Sequence, residues 1–204
     1  MQSSPVLVIL AAGASSRLGE PKALVELGGS SPMERLFAAG IASFPTEPLL
    51  IAGPDFEAIR DAAPEDLEVL EHASWSDGRT GSIRAARRAR PGRDLLIAPV
   101  DVPLVPREVF ELMGRAWKEN GTPPLGWLAP GVRRARGLLP GHPVLLGREL
   151  AARLEKVEPD TPLRKLRDKA SPLWCVECTA ESILDDLDTP LDLKSLRDSL
   201  APPT

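Results

Sequence analysis

A loop of small residues with two cations follows the first apolar run of the chain. Val6–Leu10 is typical of a buried strand, and the chain continues as Ala-Ala-Gly-Ala-Ser-Ser-Arg-Leu-Gly-Glu-Pro-Lys over residues 11–22. Small side chains let a backbone approach a ligand closely, and free amide groups together with Arg17 and Lys22 attract anionic oxygen. Ligands of open α/β sheets bind beyond the carboxyl ends of the strands, so the loop indicates a polyphosphate site. The alternative is an ordinary βα turn with two solvated cations.

Two well-known phosphate loops do not match this segment. A Walker A loop needs Gly-Lys-Ser/Thr after four spacer residues, whereas Glu20 follows Gly19. The dinucleotide fingerprint needs a second glycine two residues after the first, whereas Ser15 stands at that position after Gly13. The segment therefore predicts phosphate binding of another type.

Carboxylates at two further places have the chemistry of a magnesium site. Asp101 directly follows the most apolar strand candidate, Asp94–Val100, and would face the same sheet edge as the loop. Asp188 belongs to a second acidic cluster before the last helix, and it qualifies as a metal ligand only if the fold brings it beside Asp101. The alternative in both cases is a helix cap: Asp101 for the helix after Pro106, and Asp188 or Thr189 for the helix at Pro190.

Basic residues between two strand candidates suggest a second substrate. His142 could orient an acceptor or a metal-bound water, although a turn histidine satisfied by the backbone fits equally well. Arg136 lies in a basic segment, Gly131–Gly137, that reads as a loop; it could meet an anionic acceptor or simply be solvated. Cys175 and Cys178 have the Cys-x-x-Cys spacing, but on a strand an odd offset places them on opposite faces, which argues against one metal or one disulfide.

Strand and helix patterns that alternate along the chain must position these groups. The strands are too apolar for a one-sided sheet, which favours one three-layer α/β/α domain built mainly on parallel strands. Ser31-Pro32-Met33-Glu34 has the form of a capping box that starts a helix at Pro32. We expect a single domain over residues 1–200 and a loose tail over 201–204. The further helices and strands are expected at 48–52, 55–63, 67–70, 82–90, 106–120, 125–129, 143–146, 147–157, 162–168, 173–179 and 190–200.

Composition excludes several classes of function. The 204 residues carry a formal net charge of −4, which disfavours a general nucleic-acid binder. No apolar run approaches the length of a membrane span, the first ten residues lack a signal-peptide pattern, and two cysteines make no disulfide framework. We therefore expect a cytoplasmic protein with no membrane or nucleic-acid partner.

Six motifs occur in an order that together covers roughly residues 6 to 196. They are Leu10-Ala11-Ala12-Gly13 through Arg17 and Pro21-Lys22, Leu27-Gly28-Gly29, Trp75-Ser76-Asp77-Gly78 with Gly81-Ser82, Asp101-Val102-Pro103, Gly141-His142-Pro143-Val144-Leu145, and Asp186-Leu187-Asp188-Thr189-Pro190. This ordered set resembles the MobA-like nucleotidyltransferases, closest to their molybdenum cofactor cytidylyltransferase (MocA-like) branch. The resemblance implies a Rossmann-like sheet of the nucleotide-diphospho-sugar transferase type.

The resemblance also implies a reaction and roles for residues. A nucleotidyl group would pass from a nucleoside triphosphate to a phosphorylated acceptor, with molybdopterin as one candidate, and pyrophosphate would leave. Mg²⁺ would be the cofactor, held by Asp101 and Asp188, while Arg17, Lys22 and Asp101 would serve catalysis and His142 and Arg136 the acceptor side. The expected nucleotide contacts are Leu10, Ala11, Ala12, Gly13, Ser15, Lys22, Gly78 and Ser82.

The base and the acceptor are less closely specified. The branch that uses GTP typically has glycine where Ala12 stands, and the branch that uses CTP typically has alanine, which favours CTP. A sugar phosphate or another phosphate acceptor is an alternative to molybdopterin. A nucleotide-binding protein without transfer activity is a further alternative, although such a module has no need of both Lys22 and Asp101.

Overall fold

The computed structural model describes residues 4–158 and 160–201, so the predicted tail lies outside the described residues apart from Ala201. The strands are β1 (Val6–Ala11), β2 (Leu49–Ala52), β3 (Glu68–Glu71), β4 (Leu95–Pro99), β5 (Trp127–Arg134), β6 (Gly137–Pro140), β7 (Val144–Leu146) and β8 (Leu173–Cys178). The α-helices are α1 (Pro32–Ile41), α2 (Phe56–Ala62), α3 (Arg79–Ala89), α4 (Arg107–Glu119), α5 (Arg148–Ala152) and α6 (Pro190–Leu200). Segments of 3₁₀-helix cover Trp75–Asp77, Arg153–Lys156, Leu163–Lys169 and Glu181–Leu184.

All eight strands belong to one mixed, mostly parallel sheet in the order β3-β2-β1-β4-β7-β5-β6, with β8 paired to β5. The four strands from β3 to β4 are parallel, with Leu10 opposite Pro99 in the register of β1 and β4. The short strand β7 runs antiparallel to both of its neighbours, β4 and β5. The carboxyl ends of β1 and β4 therefore lie side by side, as the sequence predicts for the loop and Asp101.

Alternate residues of the central strands pack on opposite helical layers. Leu7 and Ile9 face the cluster that contains buried residues of α1, α2 and α4. Val6 and Val8 face the cluster that contains buried residues of α3 and α5. Two-sided burial explains the unbroken apolar runs, and it confirms the predicted three-layer α/β/α architecture. That residues 1–200 form a single domain stays a prediction.

The region predicted as a basic loop is instead a β-hairpin, and this part of the sequence-based prediction is wrong. Strand β5 continues through Arg134 and pairs antiparallel with β6. Arg133 and Arg134 do not break the strand, because their side chains pair with Glu177 of β8 and with Glu181. The two helices predicted at 147–157 and 162–168 are also shorter or different in type, with α5 passing into a 3₁₀ turn and the second being 3₁₀ throughout.

A third, small apolar cluster forms where α6 packs against the segment after β1. It contains Leu18, Val25 and Leu27 from the first part of the chain and Leu187, Leu193 and Leu196 from the last. The guanidinium of Arg197 donates to the carbonyl of Glu26 at 2.8 and 3.0 Å. These contacts hold α6 and the segment after β1 together at the carboxyl edge of β1.

The two cysteines occupy opposite faces of β8. Cys175 packs against the cluster under α3 and α5, and Cys178 packs against the cluster under α1 and α4. Both thiols are free. The predicted strand geometry is confirmed, and it separates the two sulfurs by the thickness of the sheet.

Candidate active site

The loop after β1 folds around Ser15. Its hydroxyl oxygen accepts a hydrogen bond from the backbone N–H of Lys22 at 3.0 Å, and its carbonyl accepts from Leu18 and Gly19 at 3.0 and 3.1 Å. Within the described part of the chain, the N–H groups of residues 13–17 donate to no protein acceptor. The loop is thus closed by its own hydrogen bonds and leaves a run of donors available to an anion.

Asp101 follows β4 at the same edge. The backbone N–H of Val100 donates to the carbonyl of Leu10 at 3.0 Å, which fixes the end of β4 beside the loop. The carboxylate does not cap α4, whose N-cap is Pro106 and receives no side-chain hydrogen bond. Instead, Oδ2 of Asp101 accepts from Arg79 at 2.7 Å, while Oδ1 is buried without a hydrogen-bond partner.

The second acidic cluster is brought beside Asp101. The backbone N–H of Leu187 donates to the carbonyl of Asp101 at 2.7 Å. The N-cap of α6 is Thr189, which forms a capping box with Asp192, so Asp188 does not cap this helix. Asp188 qualifies as a second metal ligand only if it lies near Asp101, and the fold places both residues in one cavity wall.

Asp188 forms ion pairs with both cations of the loop, Arg17 and Lys22. One of its oxygens accepts from the ammonium of Lys22, and the other accepts from Arg17 at 2.9 Å. The hydrogen bond from Lys22 is the main cause that holds the pKa of Asp188 below its ordinary value. For Asp186, partial burial and the charges of Asp101 and Asp188 raise the pKa. The edge thus concentrates negative charge that a cation would relieve.

These groups surround a cavity of about 460 Å³. Its walls are the loop after β1, the end of β4, the first turn of α3 and the segment before α6. Every residue that the sequence assigns to the nucleotide, the metal or catalysis lies in this wall: Leu10, Ala11, Ala12, Gly13, Ser15, Arg17, Lys22, Gly78, Ser82, Asp101 and Asp188. The structure brings the residues together, and the individual roles stay predictions.

A second cavity of about 570 Å³ adjoins the first. His142 lies in its wall with its Nδ1 buried and without a hydrogen-bond partner. Burial is the main cause that lowers the pKa of His142, opposed by the charge of Asp101. Among the residues described, Arg136 lines neither cavity and stands exposed in the turn between β5 and β6, away from the acceptor position that the sequence suggests for it.

Sequence reasoning missed two cations at the site, Arg79 and Arg167, and it expected the segment that ends at Arg164 on the acceptor side. Arg79 lines both cavities, and Arg164 and Arg167 line the second one. Arg79 carries no motif of its own because it is a single arginine at a helix start. The only available signal was its place between Gly78 and Ser82, two residues that the motif series already contains.

The carboxylate oxygens of this site suit a hard divalent cation whose remaining ligands come from phosphate and water. Two carboxylates, Asp101 and Asp188, face one cavity, and Oδ1 of Asp101 is a buried acceptor with no donor. No three His, Cys, Asp or Glu side chains converge as a ready-made metal cluster in the ranges 4–158 and 160–201. Mg²⁺ typically takes one or two protein carboxylates and completes its shell with phosphate oxygen and water, so these residues fit it.

A small-residue loop, paired cations and carboxylates at the carboxyl edge of a mostly parallel sheet define a nucleotide-binding type of α/β domain. The chain belongs to a particular family of this type, that of the MobA-like NTP transferase domain, whose model matches residues 7–173. No helix in the described ranges is long and apolar enough to cross a membrane.

Known relatives agree in sequence and in fold. The molybdenum cofactor guanylyltransferase of Rhizobium meliloti (strain 1021) is 34% identical over 125 residues, which cover 57% of this chain and about half, 55%, of that protein. The structure of Rv0371c from Mycobacterium tuberculosis H37Rv has a TM-score of 0.75 at 24% identity and covers 97% of this chain and 100% of its own. Molybdopterin-guanine dinucleotide biosynthesis protein A from Archaeoglobus fulgidus has a TM-score of 0.69 at 19% identity and covers 95% and 97%. The solved structures confirm the nucleotidyltransferase type of fold.

Proposed function

We propose that the chain is a nucleotidyltransferase that transfers a nucleoside monophosphate from a nucleoside triphosphate to a phosphorylated acceptor. The observation that carries the proposal is the meeting of two cavities along Leu10, Arg79 and Pro99, beside Asp101. Two adjoining cavities suit a reaction with two substrates. Family membership supports the same reaction class.

The transfer joins one phosphate to another. An oxygen of the acceptor phosphate forms a bond to the α-phosphorus while the bond to the α,β-bridging oxygen breaks, and its electron pair leaves with pyrophosphate. No covalent enzyme intermediate is needed, because the two cavities place both reactants and the cations stabilise the charge. The free N–H groups of residues 13–17 would bind the triphosphate, and Lys22 and Arg17 would exchange their contact with Asp188 for phosphate oxygen.

Mg²⁺ is the proposed cofactor. Asp101 and Asp188 would hold it, with Oδ1 of Asp101 as the open acceptor. When bound, the cation would neutralise phosphate charge and raise the electrophilicity of the α-phosphorus. The protein's own part is to place the carboxylates, through the hydrogen bond from Leu187 to Asp101.

CTP is the nucleotide that we propose. Ala12 is buried in the wall of the first cavity, where its methyl group takes space that a glycine would leave open for a larger base. The name of the Rhizobium meliloti relative favours GTP as the competing choice. The two nucleotides therefore have to be compared directly.

The second cavity suits an acceptor with a flat or apolar body and an anionic head. Its walls include the apolar side chains of Ile97, Trp127 and Val144, with Arg164 and Arg167 at hand for phosphate. Polar side chains of the same wall, among them Thr80, His142 and Asp186, suit the polar ring of a pterin as well as the hydroxyl groups of a sugar. Molybdopterin phosphate is the acceptor that we put first because of the family match, and a sugar phosphate is the alternative.

A thermal-shift comparison of CTP, GTP, ATP and UTP with Mg²⁺ tests nucleotide and function together. A ligand at about 100 times its Kd should stabilise the protein by about 2.7 kcal/mol, and we expect CTP to give the largest shift. A larger shift with GTP would overturn the proposed base and keep the reaction. No shift with any triphosphate would overturn the proposed function.

Pyrophosphate release then tests the transfer itself, with molybdopterin and sugar 1-phosphates as acceptors. Asp101→Asn should lower the rate by at least about 100-fold, because the variant would lose a carboxylate ligand of the cation that neutralises phosphate charge. Asp66→Asn is the matched control, since Asp66 is exposed and lines neither cavity. Full activity of Asp101→Asn would contradict the proposed metal site.

A further inference from the structure

Arg79 occupies the junction of the two cavities. It lines both of them, and its guanidinium donates to Oδ2 of Asp101 at 2.7 Å. The side chain is 54% exposed, whereas Asp101 is 20% exposed. A cation therefore stands between the proposed nucleotide and the proposed acceptor, and it occupies one oxygen of the carboxylate that would hold the metal.

The position of Arg79 in its helix does not serve helix stability. Arg79 is the first residue of α3, after the N-cap Gly78, and α3 carries no acidic residue in its first turn. The helix dipole makes a cation unfavourable at an N-terminus. The pairing with Asp101 offsets this cost, so the arginine is explained by the site and not by the helix.

The contact between Arg79 and Asp101 is easily exchanged. An ion pair with one half-exposed partner contributes little, because water screens it, so a divalent cation or a phosphate can replace it. The second oxygen of Asp101 accepts from no donor among the residues that the structure describes, so the carboxylate is only half satisfied while Arg79 holds it. A stronger cation would compete directly with the guanidinium for this group.

We propose that Arg79 is a movable counter-cation that changes partner during substrate loading. It holds Asp101 while the cavity is empty; when a divalent cation takes the carboxylate, the guanidinium turns to phosphate oxygen at the junction. There it offsets the repulsion between the acceptor phosphate and the α-phosphate of the nucleotide. The metal then binds poorly by itself and well together with the triphosphate. This inference rests on the proposed nucleotidyl transfer.

The test measures metal and nucleotide binding separately, with Mn²⁺ as the metal probe. Calorimetric titration of the nucleotide-free protein with Mn²⁺ should give about 3- to 10-fold tighter binding for Arg79→Gln than for wild type, since a competing like charge is gone. Binding of a non-hydrolysable CTP analogue with Mg²⁺ should weaken by about tenfold in the same variant. Arg79→Lys, which keeps the charge, should fall between the two proteins in both titrations.

Opposite signs in the two titrations distinguish a movable cation from a structural one. Arg88→Gln is the matched control, because Arg88 lies on the same helix and pairs with Glu155 outside both cavities. The double variant Arg79→Gln/Asp101→Asn should lose the gain in Mn²⁺ affinity. Unchanged or weaker Mn²⁺ binding in Arg79→Gln would overturn the proposal. If wild type binds no triphosphate, the proposed function fails, while the Mn²⁺ titration still decides the competition for Asp101.

Discussion

The backbone N–H of Leu187 donates to the carbonyl of Asp101 at 2.7 Å. This hydrogen bond joins the segment before α6 to the end of β4. It places Asp188 in the same cavity as Asp101, and Asp188 in turn binds Lys22 and Arg17 from the loop after β1. Three distant parts of the chain thus meet at one edge of the sheet.

Asp188→Asn should separate stability from activity. The variant weakens two ion pairs at a partly exposed carboxylate, which should lower the free energy of unfolding by about 1 kcal/mol or less. Pyrophosphate release should fall at least about tenfold, since both the proposed metal ligand and the partner of Lys22 are altered. Parallel denaturant unfolding and activity assays on Asp185→Asn, whose side chain lines neither cavity, provide the comparison.

Gly53, which packs against the loop after β1, and Gly13, which lines the first cavity, should respond differently to alanine. A Cβ on Gly53 would lie 2.5 Å from the carbonyl oxygen of Ala12, so Gly53→Ala should displace the loop and cost about 1–3 kcal/mol of stability. A Cβ on Gly13 meets nothing within 4 Å, so Gly13→Ala should keep the melting temperature and weaken triphosphate binding, since the methyl group enters the space of the ligand. Thermal unfolding with and without CTP checks both. Unchanged stabilisation of Gly13→Ala by CTP would contradict the assignment of Gly13 to the ligand.

Ala12→Gly should shift the base preference towards GTP. Removal of the methyl group enlarges the first cavity and gives up the contacts of Ala12 in the apolar cluster under α3 and α5. The ratio of kcat/KM for CTP to that for GTP should fall by about 10-fold, the value expected for one methyl group against a base. Competition between the two nucleotides in one assay measures this ratio. An unchanged ratio would place base selection elsewhere in the cavity.

His142 should make the protein less stable in mild acid. Burial lowers its pKa in the folded protein below the unfolded value near 6.5, so below that pH the unfolded chain binds the proton more readily. Stability is unaffected above about pH 6.5 and decreases as the pH falls towards the folded pKa, by at most about 1.4 kcal/mol per pH unit. Melting curves between pH 7.5 and 5.5 should show a smaller decrease for His142→Gln. Identical pH slopes would contradict the buried neutral state.

Local patterns predicted much of the fold. The buried parallel strands are apolar on both faces, and the capping box of Ser31 and Glu34 lies within four consecutive residues. Both features could therefore be predicted without tertiary information. The hairpin of β5 and β6 could not. Arg133 and Arg134 have the composition of a loop, and the partners that accommodate them in a strand, Glu177 and Glu181, lie more than forty residues away.

The site shows the same division. The residues of the first cavity could be predicted because they form short motifs at the ends of strands and helices. Arg79 and Arg167 could not: Arg79 is a single arginine at a helix start, Arg167 stands in a basic stretch with Lys165 and Lys169, and only the neighbouring cavity gives either residue its relevance. Arg136 also lies in a basic stretch, but its side chain is exposed in the turn between β5 and β6. Charge alone therefore does not separate a ligand contact from a solvated side chain.

The small apolar cluster between the segment after β1 and α6 has a consequence for folding. Lys22 and Asp188 are 166 residues apart in sequence, and the contacts that join their segments close most of the described chain into one loop. Closure of a long loop is slow, so the sheet should form before α6 docks. During synthesis, a chain that extends through β8 could already form the core of the sheet. Arg17 and Lys22 would then still lack their partner Asp188, which follows β8. Competence to bind substrate would then be acquired in the last step of folding.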